Sequence, residues 1–186
     1  MKEDNLSIVE RHIILLLGVV DRPIPSITHL EKEMFILTKT NPILQDLFNF
    51  EPYHYGPYSQ VLQDLAEEPF YFEEAYNFDD KGRIYITKEG EDEFNKTLEE
   101  NKGNKDFEDL ISALKLIRDF YDRLTVDELL LLIYVTYPDF TEYSSVSNRL
   151  LKNRKKRKFL SESLLKKGLI TRKRFEELLN YEEQRQ

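Results

Sequence analysis

Residues 50 to 59 read FEPYHYGPYS, the stretch of the N-terminal half least like ordinary core, and its side chains include a histidine and a serine that could do covalent chemistry. His54 could act as a base and Ser59 as a nucleophile, but a triad also needs an orienting group, and none is identifiable nearby. The two lie five positions apart across a turn, and no GxSxG elbow surrounds the serine. Metal chemistry is no better supplied. His29 and Glu33 are four apart on one predicted helix face, yet two ligands do not make a zinc site, and His12 or His54 would have to arrive from elsewhere; a surface helix pair is the plainer reading. DDKG, residues 79 to 82, lacks the alternating oxygen ligands of a calcium loop. The chain has no cysteine, which removes disulfides, thiolate zinc sites and cysteine nucleophiles. Glu67, Glu68, Glu73 and Glu74 flank predicted helix and strand ends, where a solvated rim is expected rather than acid–base work. The expectation is therefore a non-enzyme with no catalytic residue, no metal and no cofactor.

Two readings of FEPYHYGPYS remain open. Tyr53, His54, Tyr55 and Tyr58 could form a partner-contact patch, because tyrosine offers a large rigid area with a polar handle. They could instead form a clasp, with Gly56 turning the chain, Pro57 starting a helix, and the rings filling space beside the first two helices. The clasp is the plainer reading, with one edge left for a partner.

Charge marks a second candidate. Up to Asn148 there are 14 Lys/Arg against 30 Asp/Glu, a net −16, whereas residues 149 to 174 carry 12 basic residues against the single acid Glu162, a net +11. Lys152, Arg154, Lys155, Lys156, Arg157 and Lys158 belong to a run of seven polar positions that visits every side of a helix, so no face of those two turns is expected to pack on a core. Arg172, Lys173 and Arg174 open the next predicted helix, a placement that opposes the helix dipole unless phosphates bind there. Helix, glycine-containing turn at Gly168, and helix capped by Thr171 give the outline of a helix-turn-helix, although Glu176, Glu177, Glu182 and Glu183 follow at once. Nucleic acid, an acidic partner, this protein's own acidic half and plain solvent all remain open as its counterpart.

The elements that must carry these residues follow from periodicity. Leu6, Val9, Ile13, Leu16, Leu17 and Val20 recur at helical spacing over residues 5 to 20; Ser26 caps a second helix, and residues 41 to 50 form a short third. Pro57 is expected to open a fourth helix with Val61, Leu62 and Leu65 on one side. FYFEEAYNF and RIYIT, separated by DDKG, predict a β-hairpin, and Thr87 caps a charged helix that leaves it. NKGNK is the first clear linker. Beyond it Phe107, Leu110, Ile111, Leu114, Ile117, Phe120 and Tyr121 make an apolar stripe, and Thr125 with Glu128 forms a capping box. The expected fold is mostly α with a small β-hairpin: a winged-helix-like domain over residues 1–100, then a helical region over 105–186 containing the basic segment 149–174. Its apolar runs fall far short of the roughly 20 residues of a membrane span, and the start of the chain lacks a cleavage pattern, so a cytoplasmic protein without membrane contact is expected.

ILLLGVVDRPIPSITHLEKEMFIL, FEPYHYGPYS and YITKEG together resemble the SocA-like, or Panacea, antitoxin-domain family and its YwgA-like relatives, over about residues 10 to 95. That resemblance implies a winged-helix-like, non-enzymatic regulatory module that binds a protein partner, a toxin among the candidates. The competing expectation is a DNA-binding transcription regulator. In that reading the basic helices contact phosphates while the acidic domain senses or forms a homodimer; between Tyr53 and Phe78 there is no Lys or Arg, which argues against DNA reading by the winged helix itself.

Overall fold

Apolar residues at helical spacing build the first helix, α1 (Asn5–Gly18), and Ser26 then caps α2 (Ile27–Thr40) by accepting the His29 N–H at 3.3 Å. The computed structural model describes residues 5–181 and is mostly helical, with two small antiparallel hairpins. After α2 come α3 (Pro42–Phe48), strands β1 (Glu51–Tyr53) and β2 (Gly56–Tyr58), α4 (Gln60–Glu67), strands β3 (Tyr76–Phe78) and β4 (Ile84–Ile86), and α5 (Lys88–Glu100). Six further elements follow: α6 (Lys105–Tyr121), α7 (Val126–Thr136), a 3-10 turn at Pro138–Thr141, α8 (Ser147–Leu151), α9 (Arg154–Lys166) and α10 (Arg172–Leu179).

The chain divides into two compact units that do not follow the NKGNK linker. The first contains residues 1–50 and 59–122, the second 51–58 and 123–186. Helix α6, on the far side of NKGNK, belongs to the first unit because its stripe lies on that unit's core, where Leu114 and Ile117 join Ile13, Leu16, Leu30 and Met34.

In the first unit β3 and β4 pair through Tyr76–Ile86 and Phe78–Ile84, and DDKG makes the turn with Gly82 at φ +72°. Ile24, between α1 and α2, exchanges both backbone hydrogen bonds with Ile84 and so extends this sheet by one residue. Residues 70–74 are turn rather than strand, because the Glu10 carboxylate, buried on α1, accepts the backbone N–H groups of Phe70, Tyr71 (2.8 Å) and Phe72 (3.1 Å) and withdraws them from any ladder. Helix α2 packs against α3, α4 and α6, which buries His29 and Glu33, and the expected surface pair is corrected accordingly.

The second unit is built on α7, whose apolar run from Leu129 to Tyr134 is buried throughout. Its capping box forms as expected, with Thr125 N–H donating to Glu128 and Glu128 N–H to Thr125 Oγ1. Around α7 lie α8 and α9, and α10 packs on α9.

Candidate functional site

FEPYHYGPYS contributes a complete second hairpin, which the sequence reading did not foresee. Pairs Glu51–Tyr58, Pro52–Pro57 and Tyr53–Gly56 leave His54 and Tyr55 at the tip. Gly56 does turn the chain, at φ +81°, but Pro57 lies in β2 and starts no helix. Ser59 starts it instead: its hydroxyl accepts the Leu62 N–H at 3.3 Å and donates to the Phe48 carbonyl. Fully buried and engaged on both sides, that serine serves as a helix cap and a brace.

The hairpin is held by its backbone. The His54 carbonyl accepts the Ser145 N–H at 3.1 Å and the Ser144 and Ser145 hydroxyls at 3.2 Å each. Gly56 lies against the Tyr134 ring so closely that a Cβ would meet it at 3.0 Å. Tyr134 is in turn fixed by a 2.6 Å hydrogen bond to Ser144 Oγ, and burial pushes its phenol up to about 12. The side chains, by contrast, face outward: Tyr53 is 48% and Tyr55 52% exposed, His54 is exposed and Tyr58 half-buried. The Tyr53 ring lies 4.4 Å from the His54 ring and 4.8 Å from that of Tyr58, so these three form one aromatic group. The clasp reading therefore needs correcting for Tyr53 and Tyr55: backbone and Gly56 do the clasping.

The basic segment resolves into separate roles. Asn153 caps α9, and the helix buries Arg157, Leu160, Ser161 and Leu164 along one side, so a face of these turns does pack on a core. The mistaken expectation came from treating arginine as obligately solvated; Arg157 carries its guanidinium inward and donates to the carbonyls of Leu151 and Leu179 (3.2 Å). Lys156 and Arg149 pair with Asp127 at 2.7 Å each, Lys167 with Glu128 at 2.6 Å, and Arg174 with Glu177 at 3.0 Å. Desolvation opposes ionisation of Asp127 and Glu128, but the hydrogen bonds from these cations outweigh it and hold both carboxyls below their ordinary values. Lys152, Arg154, Lys155, Lys158, Arg172 and Lys173 are exposed. The exposed cations of α9's first turn and those of α10's first turn lie at opposite ends of the α9–α10 pair, because Arg157 near the start of α9 reaches Leu179 at the end of α10. Gly168, at φ +69°, closes α9 in a Schellman turn, with Leu169 N–H on Leu164 O and Gly168 N–H on Leu165 O, both at 3.0 Å. Thr171 then caps α10 as expected, while Glu182 and Glu183 lie outside the described residues.

Sequence reasoning missed a buried charge cluster in the first unit. Arg118, fully buried on α6, donates to the carbonyls of Leu16 (2.7 Å) and Arg22 (2.6 Å) and to the Asp122 carboxylate (3.0 Å). Glu33 lies 3.6 Å from Arg118 Nε, beyond a good hydrogen bond, so burial and the neighbouring Asp122 charge prevail and raise its carboxyl well above the usual range. A signal was present: Arg118 occupies a position inside the stripe Leu114, Ile117 and Tyr121, where a solvated residue would not be expected. Beside it on α2, Lys32 and Glu31 form a buried pair at 2.8 Å, and desolvation lowers the ammonium's pKa.

Among the described residues no group of three or more His, Cys, Asp or Glu is placed to hold a metal, and no helix is long and apolar enough to cross a membrane. No protein-family model and no curated protein sequence matches the chain.

Proposed function

We propose that this chain is a non-enzymatic, antitoxin-like regulatory protein of winged-helix type that acts by binding a protein partner. The observation that carries the reading is the 51–58 hairpin, which displays Tyr53 and Tyr55 at 48% and 52% exposure on a backbone braced by Gly56 and the His54 carbonyl. Exposed aromatics on a rigid support lose little conformational entropy on binding, and such residues dominate the energetics of protein interfaces. The winged-helix reading is supported by the element order of the first unit up to α5: helix, the Ile24 bridge onto β4, three helices, the β3–β4 hairpin and α5, with α6 added on the same core. The helix before that hairpin, α4, carries Asp64 and Glu67 and no Lys or Arg, a charge that favours a protein partner over DNA there. A photo-crosslinking residue at Tyr55 in the native host should capture one dominant protein. With that partner purified, Tyr53→Ala and Tyr55→Ala should each weaken binding about tenfold or more. Binding insensitive to both substitutions, or no stoichiometric partner, would sink the reading.

A second reading, a DNA-binding regulator, is favoured by the α9–Gly168–α10 arrangement and its exposed cations. If Arg154, Lys155, Lys158, Arg172 and Lys173 each neutralised a phosphate, log K would fall with log salt at a slope of about −4 to −5. A duplex mobility shift that is absent at low salt, or indifferent to Lys155→Ala with Lys173→Ala, removes it.

A further inference from the structure

Along the seam of α1 and α4 the first unit carries an open cleft of about 420 Å³ whose apolar lining is Leu6, Phe48, Val61 and Leu65, with Gln60 and Asp64 among its polar residues. One turn further along the same face of α1, Glu10 pins the 70–72 backbone, so that Phe70 (67% exposed) and Tyr71 stand out as an edge-to-face pair with centroids 5.0 Å apart. Glu10, which holds the backbone of the ring pair, is therefore about 6 Å along α1 from Leu6 in the cleft lining. Asp64, Glu67, Glu68, Glu73 and Glu74 are all exposed on this stretch, and from Thr40 to Asp80 the sequence contains no Lys or Arg. Arg11, the nearest cation on α1, is engaged by Glu93 at 3.2 Å and lies over the Phe72 ring. The surface is apolar at its centre and acidic around it. It fits a segment that is apolar at its centre and basic around it.

Such a segment occurs in this chain. Opposite its buried side, α9 presents Phe159, 65% exposed, between Lys155, Lys158 and Lys166. Lys155 lies four residues before Phe159 on this face, and beside the ring Lys158 pairs with Glu162 at 3.7 Å. A cleft of about 420 Å³ is ample for a phenyl ring.

We propose that the α1–α4 cleft is the docking site for the basic α9 face of a second copy of this chain, with Phe159 entering between Leu6, Val61 and Leu65. Lys155 then meets Asp64 and Lys158 exchanges Glu162 for Glu67, while Phe70 offers its ring to the aliphatic part of a lysine. The contact joins two different surfaces, so it is heterologous and leaves each end of the pair open for another copy. Its attraction is electrostatic at the rim and apolar at the centre, which gives it a salt dependence.

The full-length chain tests this by sedimentation or light scattering. At about 0.1 M salt, where charges act over about 10 Å, the weight-average mass should rise above the monomer's 22.3 kDa as concentration increases from about 10 to 300 µM, and about 1 M salt should abolish the rise. Val61→Lys blocks the cleft and Phe159→Glu blocks the ring; each alone should stay monomeric, and an equimolar mixture should form a capped pair of twice 22.3 kDa, since one intact cleft and one intact ring remain. Asp64→Lys, at an exposed rim position, repeats the cleft block without touching the core, in case Val61→Lys fails to fold. A wild type that stays monomeric throughout, single variants that associate as the wild type does, or a mixture that stays monomeric would each overturn the proposal. None of these outcomes bears on the tyrosine tip, whose partner is tested separately.

Discussion

Two groups of carboxylates pull stability in opposite directions with pH. Burial beside Asp122 raises the Glu33 carboxyl, so the folded state holds a proton there that the unfolded chain releases at about 4.5; stability from this site is greatest below that pH and falls as pH rises toward the folded value. Asp127 and Glu128 are held low by Arg149, Lys156 and Lys167, so their contribution is present above the unfolded values of about 3.8 and 4.5 and is lost on acidification. Glu33→Gln, which mimics the protonated acid, should therefore flatten the decline of urea stability as pH rises above about 4.5; a decline as steep as in the wild type would overturn this role for Glu33. Asp127→Asn should act the other way, lowering stability at neutral pH and removing part of the acid sensitivity. Arg157→Met retains the aliphatic volume but leaves the Leu151 and Leu179 carbonyls without their donor, and should cost about 1.5–3 kcal/mol in denaturant melts. These roles were only partly legible in the sequence: Arg118 interrupts an apolar stripe visibly, whereas Arg157 sits in a run of like residues where nothing marks the one that turns inward.

Elements with local chemistry at their ends were the readable ones. Ser26, Thr87, Thr125 and Thr171 cap helices as the sequence indicates, because a capping hydroxyl needs only the N–H groups two or three residues ahead. Gly168→Ala tests the Schellman turn between α9 and α10. The added Cβ meets nothing within 4 Å, so the cost comes from the +69° φ alone and should be about 1 kcal/mol, read as a lowered melting midpoint with the helical circular dichroism retained. Three-residue strands are the unreadable elements. Residues 51–53 and 56–58 have no alternating run, and Pro52 and Pro57 face each other in the register, which suits an isolated two-stranded ribbon and would disqualify them from a wider sheet. Pro57 therefore suggested a helix start, and the serine two places on took that role.

At the scale of the molecule, the units are not consecutive stretches of chain. The first is interrupted by the 51–58 hairpin, which groups with residues 123–186. Hydrogen exchange should show this directly. Leu131→Ala, in the core of the second unit, should cost about 2–5 kcal/mol and speed exchange at the paired amides of 51–58, while Leu30→Ala in the first unit should leave them slower than the amides of α1 and α2. The reverse ordering would place the hairpin with the N-terminal helices. Charge divides along related lines, with acids gathered on the α4 and 67–74 surface and exposed cations on α9 and the start of α10.

By itself the sequence determined most of the helices, the caps Ser26, Thr87, Thr125 and Thr171, the β3–β4 hairpin, the split between acidic and basic segments, and the absence of cysteine chemistry. Each depends on contacts a few residues long or on composition. Tertiary structure alone decided that Tyr53 and Tyr55 face outward, that Ser59 is used up as a cap, that Arg118 and Arg157 are buried while Phe159 is not, and that residues 51–58 pack with a helix some eighty positions further on. Those outcomes depend on which distant carbonyl or ring comes to lie beside a side chain. That information is held in the packing of the elements and not in their spacing.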